Sequence, residues 1–278
     1  MNRPFPIAMI ITLCALPAWA QTPVCEELTG RQRRLAETIL DSEHLYDCCD
    51  NTISVCLATQ PACSLAERLA DNVCRRVAAG QDEQRIRRAL SRRARSMVGG
   101  GAPAEIDLQS AVVLGPNDAP VTLVIYACAR CPYCSRLIPE LVEAIRDGPL
   151  QENVRLAFRI FPIRGHEGST PAGLAFQTAA DLDVFWPFML YAYGHFDDWT
   201  EEAQVRWATE VGLERKVFET QMADPSTRAA LVESKKEGLV NGVEATPTIF
   251  INGRRLVGDL ETVELVDGLE EVVIRTAQ

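Results

Sequence analysis

The chain has 278 residues, of which 28 are lysine or arginine and 38 are aspartate or glutamate, so its formal net charge is −10. That length suggests two domains, and a composition of 47% hydrophobic and 24% charged residues is typical of an ordinary globular protein. Residues 99–278 carry most of the negative charge, with 15 basic against 27 acidic residues. This acidic balance argues against nucleic acid as a partner, so none is expected.

The first 20 residues are typical of a secretory signal peptide. Arg3 supplies a positive start, an apolar run follows from Ile7 to Leu16, and Ala18-Trp19-Ala20 ends in small residues. We expect cleavage after Ala20 and export to the periplasm, although a retained anchor is the alternative. Export would place the cysteines in an oxidising compartment, where disulfides persist.

Residues 21–98 are predicted to form a small all-α domain that disulfides hold together. Three amphipathic helices are expected here, with six cysteines, an even number that allows 15 pairings. The six are Cys25, Cys48, Cys49, Cys56, Cys63 and Cys74. If the first two helices are antiparallel, Cys25 faces Cys74, and the adjacent Cys48 and Cys49 pair with the remaining two. A domain this small needs such links, although a redox role for Cys48 and Cys49 stays open.

A glycine-rich joint is predicted at 99–104, where three glycines and Pro103 cannot extend a helix. Residues 105–278 then alternate strand and helix, the pattern of an α/β domain. The predicted elements are a strand at 121–127, a helix at 131–146, a strand at 154–161, helices throughout 167–241, a strand at 248–251, a hairpin turn at Asn252-Gly253 and a helix at 263–274.

The segment Cys131-Pro132-Tyr133-Cys134 lies where the apolar strand at 121–127 turns into a helix. Unpaired amides and the helix dipole stabilise negative charge at a helix start, so they lower the pKa of a cysteine there. We therefore expect Cys131 to be the more exposed, nucleophilic thiol and Cys134 to be the resolving thiol, further in along the helix. A structural disulfide is the alternative, although so short a loop makes a poor staple.

The segment from Val121 to Cys134, taken with residues 242–253, resembles the DsbA-like branch of the thioredoxin superfamily. In this chain Thr246-Pro247-Thr248 precedes a short strand and a hairpin, more than a hundred residues after the cysteine pair. The likeness covers about residues 105–278 and implies a thioredoxin-like fold with a helical insertion. It also implies that Pro247 is a cis-proline packed against the active-site disulfide and that Thr246 offers its backbone to a substrate strand. A trans-proline that merely starts a strand is the alternative.

Two positions depart from the pattern of that branch. Ile125 stands six residues before the nucleophile, where many thioredoxins have a buried carboxylate, and this favours oxidation or isomerisation over reduction. Cys128 stands where relatives often have aspartate. It is interpreted as a small buried hydrophobe, as an auxiliary redox thiol, or as an iron–sulfur ligand with the other two cysteines. No fourth cysteine follows nearby, so we predict no metal and no cofactor. His44, His166 and His195 are scattered and form no ligand pattern.

Residues 65–93 are similar to the helical domain of the CcmH family, thiol proteins of cytochrome c maturation, but lack its redox Cys-x-x-Cys. The shared spacing involves Arg68, Val77, Gly80, Glu83, Ile86, Leu90 and Arg93. Six arginines between Arg85 and Arg95 are expected to form a solvated helix face. Docking on the acidic second domain and peripheral contact with anionic lipid are the alternatives.

Taken together, the sequence predicts a DsbA-like thiol–disulfide oxidoreductase that donates the Cys131–Cys134 disulfide to exported proteins through a mixed disulfide. The expected partners are unfolded or cysteine-containing exported proteins and a membrane protein that recycles the disulfide. A disulfide isomerase or reductase of the same compartment is the first alternative. A thiol-delivery adaptor, with the helical domain as its recruiting module, is the second.

Overall fold

The computed structural model describes residues 23–59, 61, 63–99 and 102–277. The predicted signal peptide and, within the predicted joint, Gly100 and Gly101 lie outside these residues. The chain divides into two compact units, one up to Leu90 and one from Ser91. The division falls inside a helix rather than at 99–104, because Arg92 and Arg93 already contact acidic residues of the second unit. The glycine-rich joint itself stays a prediction.

The first unit is all-helical among its described residues, as the sequence predicts. Its elements are α1 (Pro23–Glu26), α2 (Gly30–Leu40), α3 (Ile53–Ala58), α4 (Ser64–Ala78) and the part of α5 (Glu83–Val98) that ends at Leu90. The three predicted helices correspond to α2, α4 and α5. The periodic pattern did not predict α1 and α3, because four and six residues are too few to show it.

Three disulfides tie this unit together. Cys25 is bonded to Cys74, which confirms the predicted pairing and links α1 to α4. Cys48 is bonded to Cys63, and Cys49 to Cys56, so the open choice between these partners is settled. Around them, the apolar sides of α2 and α4 form a core that includes Ile39, Leu40, Leu69 and Val73.

The second unit is built on a five-stranded sheet with the order β1-β3-β2-β4-β5. Its strands are β1 (Val112–Leu114), β2 (Val121–Ala127), β3 (Val154–Ile160), β4 (Thr248–Ile251) and β5 (Arg254–Arg255). Strands β2 and β3 are parallel, with Val121 opposite Val154 and Ala127 opposite Ile160, and the other neighbours are antiparallel. The sequence did not predict β1, a three-residue edge strand without fully buried residues.

Strand β2 is buried on both faces, which explains its continuous apolar sequence. Successive side chains point to opposite sides of a sheet. Leu123 and Ile125 accordingly belong to the larger core cluster, whereas Val124 and Tyr126 belong to a smaller cluster on the other face.

The helices of this unit follow the predicted order. They are α6 (Pro132–Arg146), the insertion α7 (Ser169–Asp181), α8 (Phe185–Gly194), α9 (Glu201–Glu210), α10 (Arg215–Met222) and α11 (Pro225–Val240), and the final helix α12 (Thr262–Thr276). Within the described part of the chain, none of the helices has the length and apolar character needed to cross a bilayer. This architecture agrees with the expected α/β class with a helical insertion.

A buried ion cluster joins the end of α5 to α12 inside the second unit. Arg93 donates to Asp267 at 2.5 Å and, through two nitrogens, to Glu271 at 2.9 and 3.0 Å. All three residues are less than a tenth exposed. On the same helix, Arg92 pairs with Asp259 at 2.7 Å, with both side chains about 30% exposed. Two of the arginines between 85 and 95 therefore bind acidic partners of the second unit instead of forming a solvated face.

Candidate active site

The cysteine pair lies at the carboxyl end of β2, at the junction with α6. Cys131 caps the helix in an extended conformation, and Pro132 occupies the first position, where its missing N–H costs no hydrogen bond. The backbone N–H of Cys131 donates to the carbonyl of Cys128 at 3.1 Å, which closes the turn out of the strand. Cys134 lies in the first turn of α6, and both cysteines are thiols here.

The structure brings the two predicted motifs together. Cys131 Sγ lies 3.2 Å from the backbone carbonyl of Thr246, although 115 residues separate them along the chain. The Thr246–Pro247 peptide bond is cis, as the resemblance implies. Pro247 is buried, and Thr246 is half-buried.

The expectation that Cys131 is exposed is wrong. Both Cys131 and Cys134 have 0% exposure, because the segment around Thr246 covers the sulfur of Cys131. Tyr133, between them, is 63% exposed and is the part of the motif that solvent reaches. Exposure therefore does not distinguish nucleophile from resolving thiol in this site.

Electrostatics does distinguish the two thiols. Hydrogen bonds from the Cys134 thiol and from the backbone of Cys134 and Tyr133 lower the pKa of Cys131 to about 5, against the opposing effect of burial. Burial raises the pKa of Cys134 well above its usual value, and the neighbouring Cys131 adds to this. The first thiol is therefore a thiolate at neutral pH and the second a protonated thiol, which fits a nucleophile and a resolving partner.

Cys128 lies behind this pair and is also a buried free thiol. Its sulfur is 3.2 Å from Ser169 Oγ, 3.4 Å from His166 Nδ1 and 3.4 Å from the backbone nitrogen of Arg130. It is thus not simply a small hydrophobe. Among the described residues, no group of three or more His, Cys, Asp or Glu side chains could hold a metal ion.

No sequence pattern groups His166 and Ser169 with the cysteines. The loop before α7 nevertheless brings His166 to Cys128 from 38 residues away. Tyr193, another residue that the sequence did not single out, donates its hydroxyl to the carbonyl of Cys128 at 3.2 Å. No local pattern signals these contacts, because they form only when the insertion folds back on the end of β2.

Two open cavities flank the start of α6. One, of about 560 Å³, is bordered by Tyr133, Leu137, Pro247, Leu260 and Val263, and is largely apolar. The other, of about 530 Å³, lies on the side of the insertion and is bordered by Pro132, His195, Asp197 and Asp198. A peptide chain crossing the site could therefore meet apolar and polar surfaces on opposite sides of the helix start.

The comparisons with known proteins agree with this geometry. A family model described as thioredoxin matches residues 108–271. A thioredoxin-like oxidoreductase from Silicibacter pomeroyi is similar with a TM-score of 0.52 and 28% identity, over 61% of this chain and 98% of that one. The oxidised form of BdbD from Bacillus subtilis has a TM-score of 0.54 and 20% identity, over 62% and 97% of the two chains, a likeness that shows the fold alone.

Another relative has the name of an ion transporter and not of an oxidoreductase. The Na⁺/H⁺ antiporter NhaA 3 of Salinispora tropica is 32% identical over 176 residues, which are 61% of this chain and 26% of that protein. The chain thus spans about a quarter of the length of the first curated relatives it matches. The resemblance of residues 65–93 to the CcmH family stays a prediction. Because the family model accounts for more than half of the chain and extends from before β1 into α12, the chain belongs to the thioredoxin family.

Proposed function

We propose that the protein is a thiol–disulfide oxidoreductase that donates the Cys131–Cys134 disulfide to exported proteins. The observation that carries the proposal is a thiolate-forming cysteine at the start of α6, 3.2 Å from the carbonyl of Thr246. The 28% identical protein from Silicibacter pomeroyi is described as a thioredoxin-like oxidoreductase, which supports the same reaction class.

The reaction follows from the two thiols. A substrate thiolate attacks Cys131 Sγ of the oxidised pair, the Cys131–Cys134 bond breaks, and Cys134 leaves as a thiolate that takes up a proton. A second substrate thiolate then attacks the mixed disulfide, so the substrate gains a disulfide and Cys131 leaves as a thiolate. The low pKa of Cys131 makes it a good leaving group in this last step.

The same low pKa favours the oxidase over the reductase. A stabilised thiolate stabilises the reduced enzyme, so the disulfide form becomes a stronger oxidant. Ile125 is buried in β2, where many thioredoxins have a carboxylate that assists reduction. The isomerase alternative would use the reduced form and stays a second candidate, because Cys131 is ionised at neutral pH in that form.

The first test is the reduction potential of the Cys131–Cys134 couple, measured by equilibration with glutathione. A value near about −120 mV supports the oxidase, and a value near about −270 mV contradicts it in favour of a reductase. The second test is a Cys134→Ala variant, which should accumulate mixed disulfides with many exported proteins. The Cys131→Ser variant is the control and should trap none. A single dominant trapped protein would favour the adaptor.

Export and recycling belong to the same proposal. The three disulfides of the first unit suit an oxidising compartment such as the periplasm, and a membrane-bound partner would reoxidise the pair. Contact with anionic lipid through Arg85–Arg95 stays a prediction. It would depend on the exposed Arg85, Arg88 and Arg95, since Arg87, Arg92 and Arg93 pair with carboxylates.

A further inference from the structure

We infer that Cys128 is a third redox thiol, which exchanges with the active-site disulfide to form a Cys128–Cys134 bond. The inference rests on the proposed function, because that function supplies the Cys131–Cys134 disulfide. It extends that function by giving the oxidised enzyme a second form, in which Cys131 is a free thiolate.

The surroundings of the Cys128 sulfur are those of a reactive thiol. Ser169 Oγ accepts a hydrogen bond from the backbone N–H of Ile163 at 2.8 Å, so its own O–H is available to donate to Cys128 Sγ at 3.2 Å. The backbone N–H of Arg130 also donates to this sulfur, at 3.4 Å. Two donors thus point at the sulfur.

His166 completes the arrangement as a proton acceptor. Its Nδ1 lies 3.4 Å from Cys128 Sγ, so an S–H on Cys128 can donate to it. The imidazole is half-buried, whereas the sulfur is fully buried, so the ring connects the thiol to solvent. An adjacent histidine that takes the proton of a cysteine is the usual means of activating a thiol nucleophile.

Cys134 is the neighbouring thiol that Cys128 is placed to attack. The Cys131 N–H closes a turn on the Cys128 carbonyl at 3.1 Å, so Cys128 lies beside the first turn of α6, which holds Cys134. Burial raises the pKa of Cys134, and the charge of Cys128 adds to this effect. Tyr193 lies among the three cysteines: its hydroxyl binds the Cys128 carbonyl, and all three thiols raise its pKa in addition to the larger effect of burial. Since Cys128 is fully buried, a partner inside the site is the one its sulfur can attack.

The step is balanced within the protein. The Cys128 proton passes to His166 Nδ1, the Cys128 thiolate attacks Cys134 Sγ, and the Cys131–Cys134 bond breaks as the Cys128–Cys134 bond forms. Cys131 leaves as a thiolate, and no electrons enter or leave. Attack on Cys134 is the favoured direction, because the thiol with the lower pKa is the better leaving group.

The test uses the oxidised full-length protein and a maleimide at pH 7. In the wild type we expect alkylation at Cys131, with peptide mapping after acid quenching that recovers a Cys128–Cys134 disulfide. In the matched Cys128→Ser variant, which differs by one atom, alkylation of the oxidised protein should be at least about tenfold slower. If the oxidised wild type reacts with the maleimide as slowly as the variant, and no Cys128–Cys134 peptide is found, the inference is overturned.

Two further variants separate chemistry from folding. His166→Asn should slow the alkylation of Cys131 in the oxidised protein by at least about tenfold, because it removes the proton acceptor, whereas His44→Asn in the first unit should not. A Cys131→Ser variant treated with oxidised glutathione should lose both remaining thiols together and two hydrogens in mass. If it keeps Cys128 as a free thiol, the inference is wrong.

Disulfide donation to a reduced peptide distinguishes failure of the proposed function from failure of this inference. In that case the oxidised wild type would donate no disulfide to a reduced peptide. If only the present inference fails, donation persists and Cys131 stays protected from the maleimide for as long as the pair is oxidised.

Discussion

In the first unit six cysteines are paired across separations of 7 to 49 residues, whereas in the second unit three cysteines between residues 128 and 134 are all thiols. The difference lies in what a bond would achieve. Closing a long loop removes much entropy from the unfolded chain, so the distant pairs stabilise their fold. Closing the short Cys131–Cys134 loop removes little, so that bond can open and close without endangering the structure around it.

In the second unit, packing and ion pairs stabilise the fold in place of long-range disulfides. Its sheet is buried on both faces, and Arg93 with Asp267 and Glu271 links α5 to α12 without a covalent bond. A reductant should therefore weaken the first unit and leave the second folded. The following predictions test this contrast, from the largest expected effect to the smallest.

Arg93→Ala should destabilise the second unit by about 3–5 kcal/mol, because it removes the buried guanidinium that binds Asp267 and Glu271. Arg92→Ala is the matched control on the same helix. Its partly exposed pair with Asp259 is worth about 0–1 kcal/mol, because solvent screens it. Urea unfolding followed by tryptophan fluorescence reports this unit, since Trp186, Trp199 and Trp207 all lie in it. Equal losses in the two variants would contradict the role given to burial.

Removing Cys25 and Cys74 together, by substitution to alanine, should cost the first unit about 4 kcal/mol, because that bond closes a 49-residue loop. Removing Cys49 and Cys56 together should cost about 2 kcal/mol, since their loop is only 7 residues long. Hydrogen exchange of the α4 amides measures both losses. A larger loss for the shorter loop would show that chain entropy does not govern these staples.

The alkylation rate of the reduced protein should follow the ionisation of Cys131. With a pKa of about 5, the thiolate persists from alkaline pH down to about pH 5 and is lost below it. At pH 7 its ionised fraction is about 100 times that of an ordinary thiol of pKa 9. Alkylation through the thiolate should be faster in the same proportion, apart from differences in access and nucleophilicity. Iodoacetamide kinetics between pH 3 and pH 10 measure the midpoint, with Cys131→Ser as the blank. A midpoint near 9 would remove the basis for the nucleophile.

The free energy of unfolding of the reduced protein should depend on pH through the same ionisation of Cys131. The lowered pKa of Cys131 stabilises the folded dithiol fully above pH 9, where the unfolded thiol also ionises, and this contribution is lost as the pH falls to about 5. The Cys131→Ser variant should lack this pH dependence. Thermal unfolding at a series of pH values provides the comparison.

Tyr126→Phe should cost the second unit about 1 kcal/mol, the loss of one hydrogen bond, from Asn241 Nδ2 to the tyrosine oxygen at 3.0 Å. Burial raises the pKa of Tyr126 to about 12, so the difference in stability between wild type and variant is constant below about pH 10, where the unfolded tyrosine ionises. Between pH 10 and 12 the wild type loses stability relative to the variant, because its buried tyrosine resists ionisation. Tyr133→Phe, at an exposed position, is the control and should leave urea unfolding unchanged.

The sequence predicted most of the second unit because its elements are local. The continuous apolar run of β2 and the helix that begins at Pro132 each have a pattern within a few residues. The burial of Cys131 was not predictable in this way, because the covering carbonyl belongs to Thr246 in a distant part of the chain. The contact of His166 with Cys128 was missed for the same reason, since it depends on how the insertion returns to the sheet.

The position of Arg93 bears on how the catalytic part of this protein could be produced alone. A shortened polypeptide that starts at the glycines after α5 would lack this guanidinium, which binds both Asp267 and Glu271 at a buried position. Such a fragment should express poorly or aggregate even though every element of the sheet is present. The useful starting point for a stand-alone oxidoreductase is therefore inside α5, at or before Ser91, so that the fragment keeps Arg93.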